Sequence, residues 1–249
     1  MAGPSKERDL RGKELERVGG KQTDRKQLVK TRPDHIGGQM IFKDIRSELP
    51  RHATKRFSQR LTSSIVGGVV HHTAGRDNPY NTAAYHVGPN HVSESGCPGL
   101  LYTFYISLDG VTHWCNDISD ITWSQGGHGS PVPNTNANPN FVAIVCGGDF
   151  SKGEPTFAQM LSLLSLWGHL TGHSRWSEMS EDLYGVLKCS VNALYGHHNF
   201  GKPACPGLTL TTMVDAIRSH YQTKKLSSDA EWQQALNAAG YSLEPDGIW

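Results

Sequence analysis

Two short segments carry side chains that together could hold a metal ion. The first, "VVHHTAG" (69–75), places His71 and His72 at the end of a β-branched run. The second, "GHHNFGKPACPG" (196–207), places His197 and His198 in a loop rich in glycine and proline, with Cys205 eight residues after His197. Adjacent side chains of an extended chain point to opposite faces, so each histidine pair offers about one ligand to a given site. Cys205 offers a third. Two imidazoles and one thiolate make the three-ligand set of a catalytic zinc site, whose fourth position is left to water. A structural zinc site uses four protein ligands at short spacing, and here His71 and His197 stand 126 residues apart. With 13 histidines and five cysteines, chance pairings are easy to find, and a buried thiol near unrelated histidines stays open on spacing alone.

The elements that must position these residues are partly readable. "SIVGGVVHHTAG" (64–75) predicts a buried strand ending near Thr73. "LLYTFYISLDGVTHWC" (100–115) predicts two strands joined by a tight turn at Asp109-Gly110. "NFVAIVCGGDF" (140–150) predicts another apolar strand, and "SQGGHGSPVPNTNANPN" (124–140) a long loop of the kind that is usually functional or mobile. In "EPTFAQMLSLLSLWGHL" (154–170), Thr156 and Gln159 form a capping-box pattern ahead of a helix. Its core stripe is Leu161, Leu164 and Trp167, or else Leu163, Leu166 and Leu170. "LTTMVDAIRSHY" (210–221) predicts a second helix with Met213, Val214, Ile217 and Tyr221 on one side. Strands alternating with helices, plus one antiparallel hairpin, predict an α/β domain: a mixed central β-sheet flanked by helices.

Composition bounds the rest. The chain has 249 residues, 37% hydrophobic and 19% charged, which suits one domain of ordinary size plus extensions. A formal net charge of +1 gives no general argument for nucleic acid or membrane as a partner. The charge is uneven: residues 1–32 carry ten Lys or Arg against five Asp or Glu, with few large apolar side chains. Residues 1–45 therefore read as a basic, flexible arm, and 46–225 as the folded domain. No apolar run follows the basic N-terminal residues as in a secretory signal, and no segment is apolar enough to insert in a membrane, so the expectation is a cytoplasmic protein. Five widely spaced cysteines in such a chain argue against a disulfide framework.

"VVHHTAG", "YTFYISLDG", "CGGDF" and "GHHNFGKPACPG" occur in the order and rough spacing of the zinc-dependent N-acetylmuramoyl-L-alanine amidases, a family that includes phage endolysins and the peptidoglycan recognition proteins. The resemblance covers about residues 64–222, and "AAYHVGPNHVSESGCPGLLYTFYI" (83–106) is similar to the endolysin-type members. It implies that His71, His197 and Cys205 bind Zn2+ and that Tyr102 is the catalytic tyrosine, in a Tyr-Thr-Phe where many members have Tyr-His-Phe. The family often has Lys or Thr two residues before the cysteine; this chain has Pro203 there and Lys202 one residue earlier, so Lys202 is the candidate second catalytic group. His128, in the long loop, falls where members often have a histidine that contacts substrate. His72, His86, His91 and His198 are read as structural or surface histidines, with support of a ligand as the minor option.

The implied reaction is hydrolysis of the amide between N-acetylmuramic acid and L-alanine in peptidoglycan. Two alternatives are a non-catalytic recognition module, made less fitting by the presence of Cys205, and a cytosolic enzyme recycling soluble muropeptides. Residues 226–249, with "WQQALNAAGYSLEPDGIW", resemble the start of a truncated peptidoglycan-binding module of three helices. Lack of a signal suits an endolysin that leaves the host cytoplasm with holin help.

Overall fold

The computed structural model describes residues 40–223 apart from Arg76 and His128. Nearly all of the basic arm and all of the C-terminal module-like segment (226–249) lie outside the described residues. The order of elements is β1 (Phe42–Asp44), β2 (Gly67–His72), α1 (Pro79–Val87), β3 (Phe104–Ile106), β4 (Thr112–Trp114), α2 (Ala137–Asn140), β5 (Phe141–Cys146), α3 (Phe157–Leu170), β6 (Leu194–Gly196) and α4 (Leu208–Thr223). The strands form one sheet in the order β1-β4-β3-β5-β2-β6. Only the β3–β4 pair is antiparallel. The sheet is thus mixed and flanked by helices, as the alternation of elements predicts.

The sheet's two faces follow from side-chain alternation. Val70, Phe104, Ile106, Val142, Ile144 and Cys146 join the large core against α3 and α4. Val69, Tyr105, Phe141 and Val145 face the other way, where α1 contributes Ala83 and the turn after β6 contributes Phe200. Two glycines open β2, and the packing explains both: a Cβ on Gly67 would lie 2.6 Å from the Ala193 carbonyl oxygen. A Cβ on Gly68 would lie 2.6 Å from the Trp167 ring, so glycine is what lets α3 sit directly on the strand. Trp167 is fully buried and its indole N–H donates to the Val191 carbonyl at 2.6 Å.

Four readings need correction. The sheet begins at Phe42, inside the stretch read as arm, because β1 pairs in parallel with β4 through Phe42↔Thr112 to Asp44↔Trp114. The 100–115 hairpin is shorter than read: residues 101–103 approach β3 without joining it, so Tyr102 stands ahead of the strand. The long loop closes on a short helix, α2. Both proposed stripes of α3 are buried except for half-buried Leu161, and Trp176, Met179, Leu183 and Leu187 join the same core.

The capping box ahead of α3 is present in full. The Thr156 hydroxyl oxygen accepts from the Gln159 N–H at 3.0 Å, and Gln159 Oε1 accepts from the Thr156 N–H at 3.1 Å. Thr156 Oγ1–H also donates to the Leu108 carbonyl at 2.6 Å, tying the helix start to the β3–β4 turn. Gln159 is fully buried, and its amide donates to the carbonyls of Ile106 and Gly147 at the ends of β3 and β5. Thr156→Ala is expected to lower stability by about 1–2 kcal/mol with unchanged far-UV dichroism, read from the midpoint of urea unfolding.

Candidate metal centre

His71 is the fifth residue of β2, on the face shared with Val69. The ladder with β5 pairs it with Val145, and His72 with Cys146. His71 is 1% exposed. On the other side of β2 runs β6, whose last residue, Gly196, pairs with Val70. The chain leaves β6 directly into a 3-10 turn, His197–Phe200. That turn delivers His197 beside His71, with ring centroids 4.4 Å apart. Cys205 lies on the loop that ends on Gly207, whose φ of +93° only glycine holds without strain and whose Cβ would run into the Phe150 main chain.

The three sequence-predicted ligands therefore converge. One donor atom each from His71, His197 and Cys205 all lie within 4.8 Å of one another. Cys205 Sγ is 3.8 Å from His71 Nδ1. His71 Nε2 is buried and has no hydrogen-bond partner. Two imidazoles and a thiol brought this close form a donor set that a cation with nitrogen and sulfur preference fits. His197 Nε2 lies 3.3 Å from the Gln125 carbonyl, which can only accept, so Nε2 carries the hydrogen and Nδ1 carries the lone pair.

Electrostatics favour neutral donors. Burial, with the neighbouring His197 and His72, pushes the pKa of His71 well below the usual histidine range. Burial pushes the Cys205 thiol up to about 11 despite a hydrogen bond from the His72 main chain that works the other way. The thiol is thus protonated at neutral pH until a cation displaces the proton.

Of the remaining predicted residues, Tyr102 lines the same cavity of about 520 Å³, and its ring is 5.3 Å from that of His71. Burial, helped by the neighbouring Cys205, holds its hydroxyl well above the usual tyrosine range, so it is a donor at any physiological pH. Lys202 is exposed and lines the same cavity. His128 lies outside the described residues. Pro203 also lines the cavity, in the position where the resemblance leads one to look for a polar group.

The supporting residues were only weakly signalled. His72 points away from His71, and its Nδ1 accepts from the Phe150 N–H at 3.3 Å. It also bonds the main chain of Ala204, so it ties the residue before Cys205 to the turn after β5. His198 does not extend away as a second strand residue would. Its Nε2 lies 3.2 Å from Asp215 of α4, which is joined to Arg218, and Arg218 reaches Asn199. His86, on α1, packs 5.7 Å from Tyr102 and accepts from the Leu101 N–H at 3.3 Å. Burial lowers its pKa to about 4, so it stays neutral behind the tyrosine. The Gln125 main-chain carbonyl carried no sequence signal at all.

The chain matches the profile of the N-acetylmuramoyl-L-alanine amidases over residues 61–208, a span that holds every one of these side chains except Asp215 and Arg218. No curated protein sequence matches it. Among solved structures, the ectodomain complex of peptidoglycan recognition proteins LCa and LCx bound to tracheal cytotoxin is similar, with a TM-score of 0.51 and 16% identity over 71% of this chain and 95% of that one. An N-acetylmuramoyl-L-alanine amidase, LysC from Clostridium intestinale, matches with a TM-score of 0.48 and 19% identity over 74% of this chain and 98% of that one. The Ph2119 endolysin of a Thermus scotoductus bacteriophage matches with a TM-score of 0.48 and 20% identity, over 71% and 98%.

The donor set carries a prediction about protons. His71 is already neutral at pH 7.5 and has none to give, whereas the raised pKa of Cys205 means its thiol must lose one. Zinc added to metal-free protein at pH 7.5 should release at least one proton per ion, the Cys205 proton together with any that zinc-bound water loses, measured with a pH indicator in weak buffer. Binding with no proton release would remove Cys205 from the set.

Proposed function

The chain belongs to the N-acetylmuramoyl-L-alanine amidase family, and from that premise we propose that it is a zinc-dependent, endolysin-like hydrolase of bacterial peptidoglycan. The bond cut is the amide joining the lactyl group of N-acetylmuramic acid to L-alanine of the stem peptide. The observation that carries this reading is the convergence of His71, His197 and Cys205 at one end of an open cavity. A module that only holds peptidoglycan has no chemical use for a half-buried thiol beside two imidazoles.

In this reading His71, His197 and Cys205 hold the ion, and His71 does so without first shedding a proton. Zinc supplies Lewis acidity toward the amide carbonyl and lowers the pKa of water toward neutrality. Tyr102, neutral and fixed between His71 and His86, donates its hydroxyl hydrogen to the oxyanion that develops on the carbonyl. Lys202, on the cavity wall, adds positive charge toward the same oxygen. Gln125 and His72 are positioning residues: the first fixes the tautomer of His197, the second fixes the approach to Cys205. Among the described residues no helix is long and apolar enough to cross a membrane.

Purified peptidoglycan incubated with the protein should yield new L-alanine amino termini and intact glycan strands, identified by mass. The yield should vanish with a chelator, return with zinc, and stay absent in Cys205→Ser. Release that persists in Cys205→Ser after chelation contradicts the zinc mechanism, and release from soluble muropeptides alone points to a recycling enzyme. Tyr102→Phe should retain zinc and lose kcat by about 10²- to 10³-fold, the cost of one oxyanion donor, checked by metal analysis beside turnover. An unchanged kcat would make Tyr102 a packing residue.

A further inference from the structure

A second cavity, larger at about 790 Å³, lies next to the metal cavity. The two share a wall. Phe57 lines the second cavity and Trp123 lines the first, and their rings meet edge to face with centroids 6.1 Å apart. Cys97 and Leu101 complete this apolar ridge, and Leu101 also lines the metal cavity.

The second cavity is lined by three arginines, Arg46, Arg51 and Arg56, and three aspartates, Asp44, Asp117 and Asp120. Formal charge cancels, but the pairing does not. Arg46 bonds both Asp44 and Asp117 and lies 3.3 Å over the Trp114 ring, so one guanidinium answers two carboxylates. Asp120 accepts from the Gln59 amide and from the Asp117 N–H, and it faces the charge of buried Arg60. The carboxylates are therefore all engaged.

Arg51 and Arg56 are different. Arg51 donates to Asn116 Oδ1 and to the carbonyls of Cys115 and Arg46. Arg56 donates from Nη1 to the carbonyls of His52, Ala53 and Lys55. Both guanidiniums are fixed by neutral acceptors, and among the described residues neither meets a carboxylate. Held in place with its charge uncompensated, a guanidinium is preorganised for an oxyanion, which it can take through parallel N–H donors.

We propose that this cavity is an oxyanion subsite for the cell-wall polymer, in which Arg51 and Arg56 take a carboxylate or phosphate group while the scissile amide lies across the Phe57–Trp123 ridge in the metal cavity. This rests on the reading of the chain as a wall amidase. It makes the enzyme selective for polymer over isolated fragment, because a short muramyl peptide fills the first cavity and leaves the second empty.

The test compares wild type with Arg51→Gln/Arg56→Gln on two substrates: purified walls and a soluble muramyl tripeptide. On walls the half-saturating concentration should rise about tenfold with kcat unchanged, as expected for loss of two exposed charges, and added salt should narrow the gap. On the soluble fragment the two proteins should match. Arg56→Gln alone, which removes bonds only to nearby carbonyls, should show the same trend if the double variant folds poorly. Walls stripped of phosphate polymers with hydrofluoric acid identify the source: an effect that survives assigns the anion to a stem-peptide carboxylate, and one that vanishes assigns it to wall phosphate. Equal wall turnover by all variants, or equal losses on both substrates, overturns the subsite. Co-sedimentation with walls reads the same variants without turnover. Failure of the wild type to cut any substrate would sink the amidase reading, whereas wild-type cutting with indifferent arginines sinks only the subsite.

Discussion

The hydrogen-bonded ladder that holds β2 between β5 and β6 is what the metal centre depends on. Alternation along β2 sends His71 to one face and His72 to the other, and pairing with β5 on one edge and β6 on the other leaves that choice no freedom to slip. Because β6 ends beside the middle of β2 and turns at once into a 3-10 turn, His197 arrives next to a residue 126 positions earlier. A one-residue shift of β2 would exchange the places of His71 and His72, taking the first out of the cavity and breaking the bonds of the second to Phe150 and Ala204.

The rest of the fold serves to keep that register. α3 presses on one side of the sheet through Trp167, accommodated by Gly68, and α4 contributes Leu210, Met213, Val214 and Ile217 to the same core. Each such side chain, buried, contributes about 1.5–3 kcal/mol. α4 also takes a direct part in the site, since Asp215 and Arg218 grip His198 and Asn199 and so hold the turn that carries His197. The two members of each histidine pair thus divide the work: one offers its nitrogen to the cavity, and the other fastens the segment from behind. A site whose donors are two imidazoles and a thiol favours a cation with nitrogen and sulfur preference over a hard, oxygen-seeking one.

Much of this was legible in the sequence, for physical reasons that can be named. β2 and β5 show as continuous apolar runs because both of their faces are buried, and α3 announces itself through Thr156 and Gln159. That one histidine of each pair faces the site also follows from local geometry, although His197 and His198 diverge through a turn rather than through a strand. Three-residue strands such as β1 and β6 are too short to show a period, so in the sequence β1 reads as part of the arm. α1 had a readable start, with Asn78 as N-cap accepting from the Asn81 N–H and Pro79 in the first turn, but it carries no strong apolar stripe. The roles of the Gln125 carbonyl, of Asp215 and of Arg51 depend on long-range contacts that leave no mark on local sequence.

The most direct test of the account is the coordination of zinc in the loaded native protein by X-ray absorption at the zinc edge. The account predicts two nitrogen neighbours at about 2.0–2.1 Å, one sulfur at about 2.3 Å and one further light atom. A shell without sulfur, or with more than one, would contradict the assignment of His71, His197 and Cys205 as the ligands.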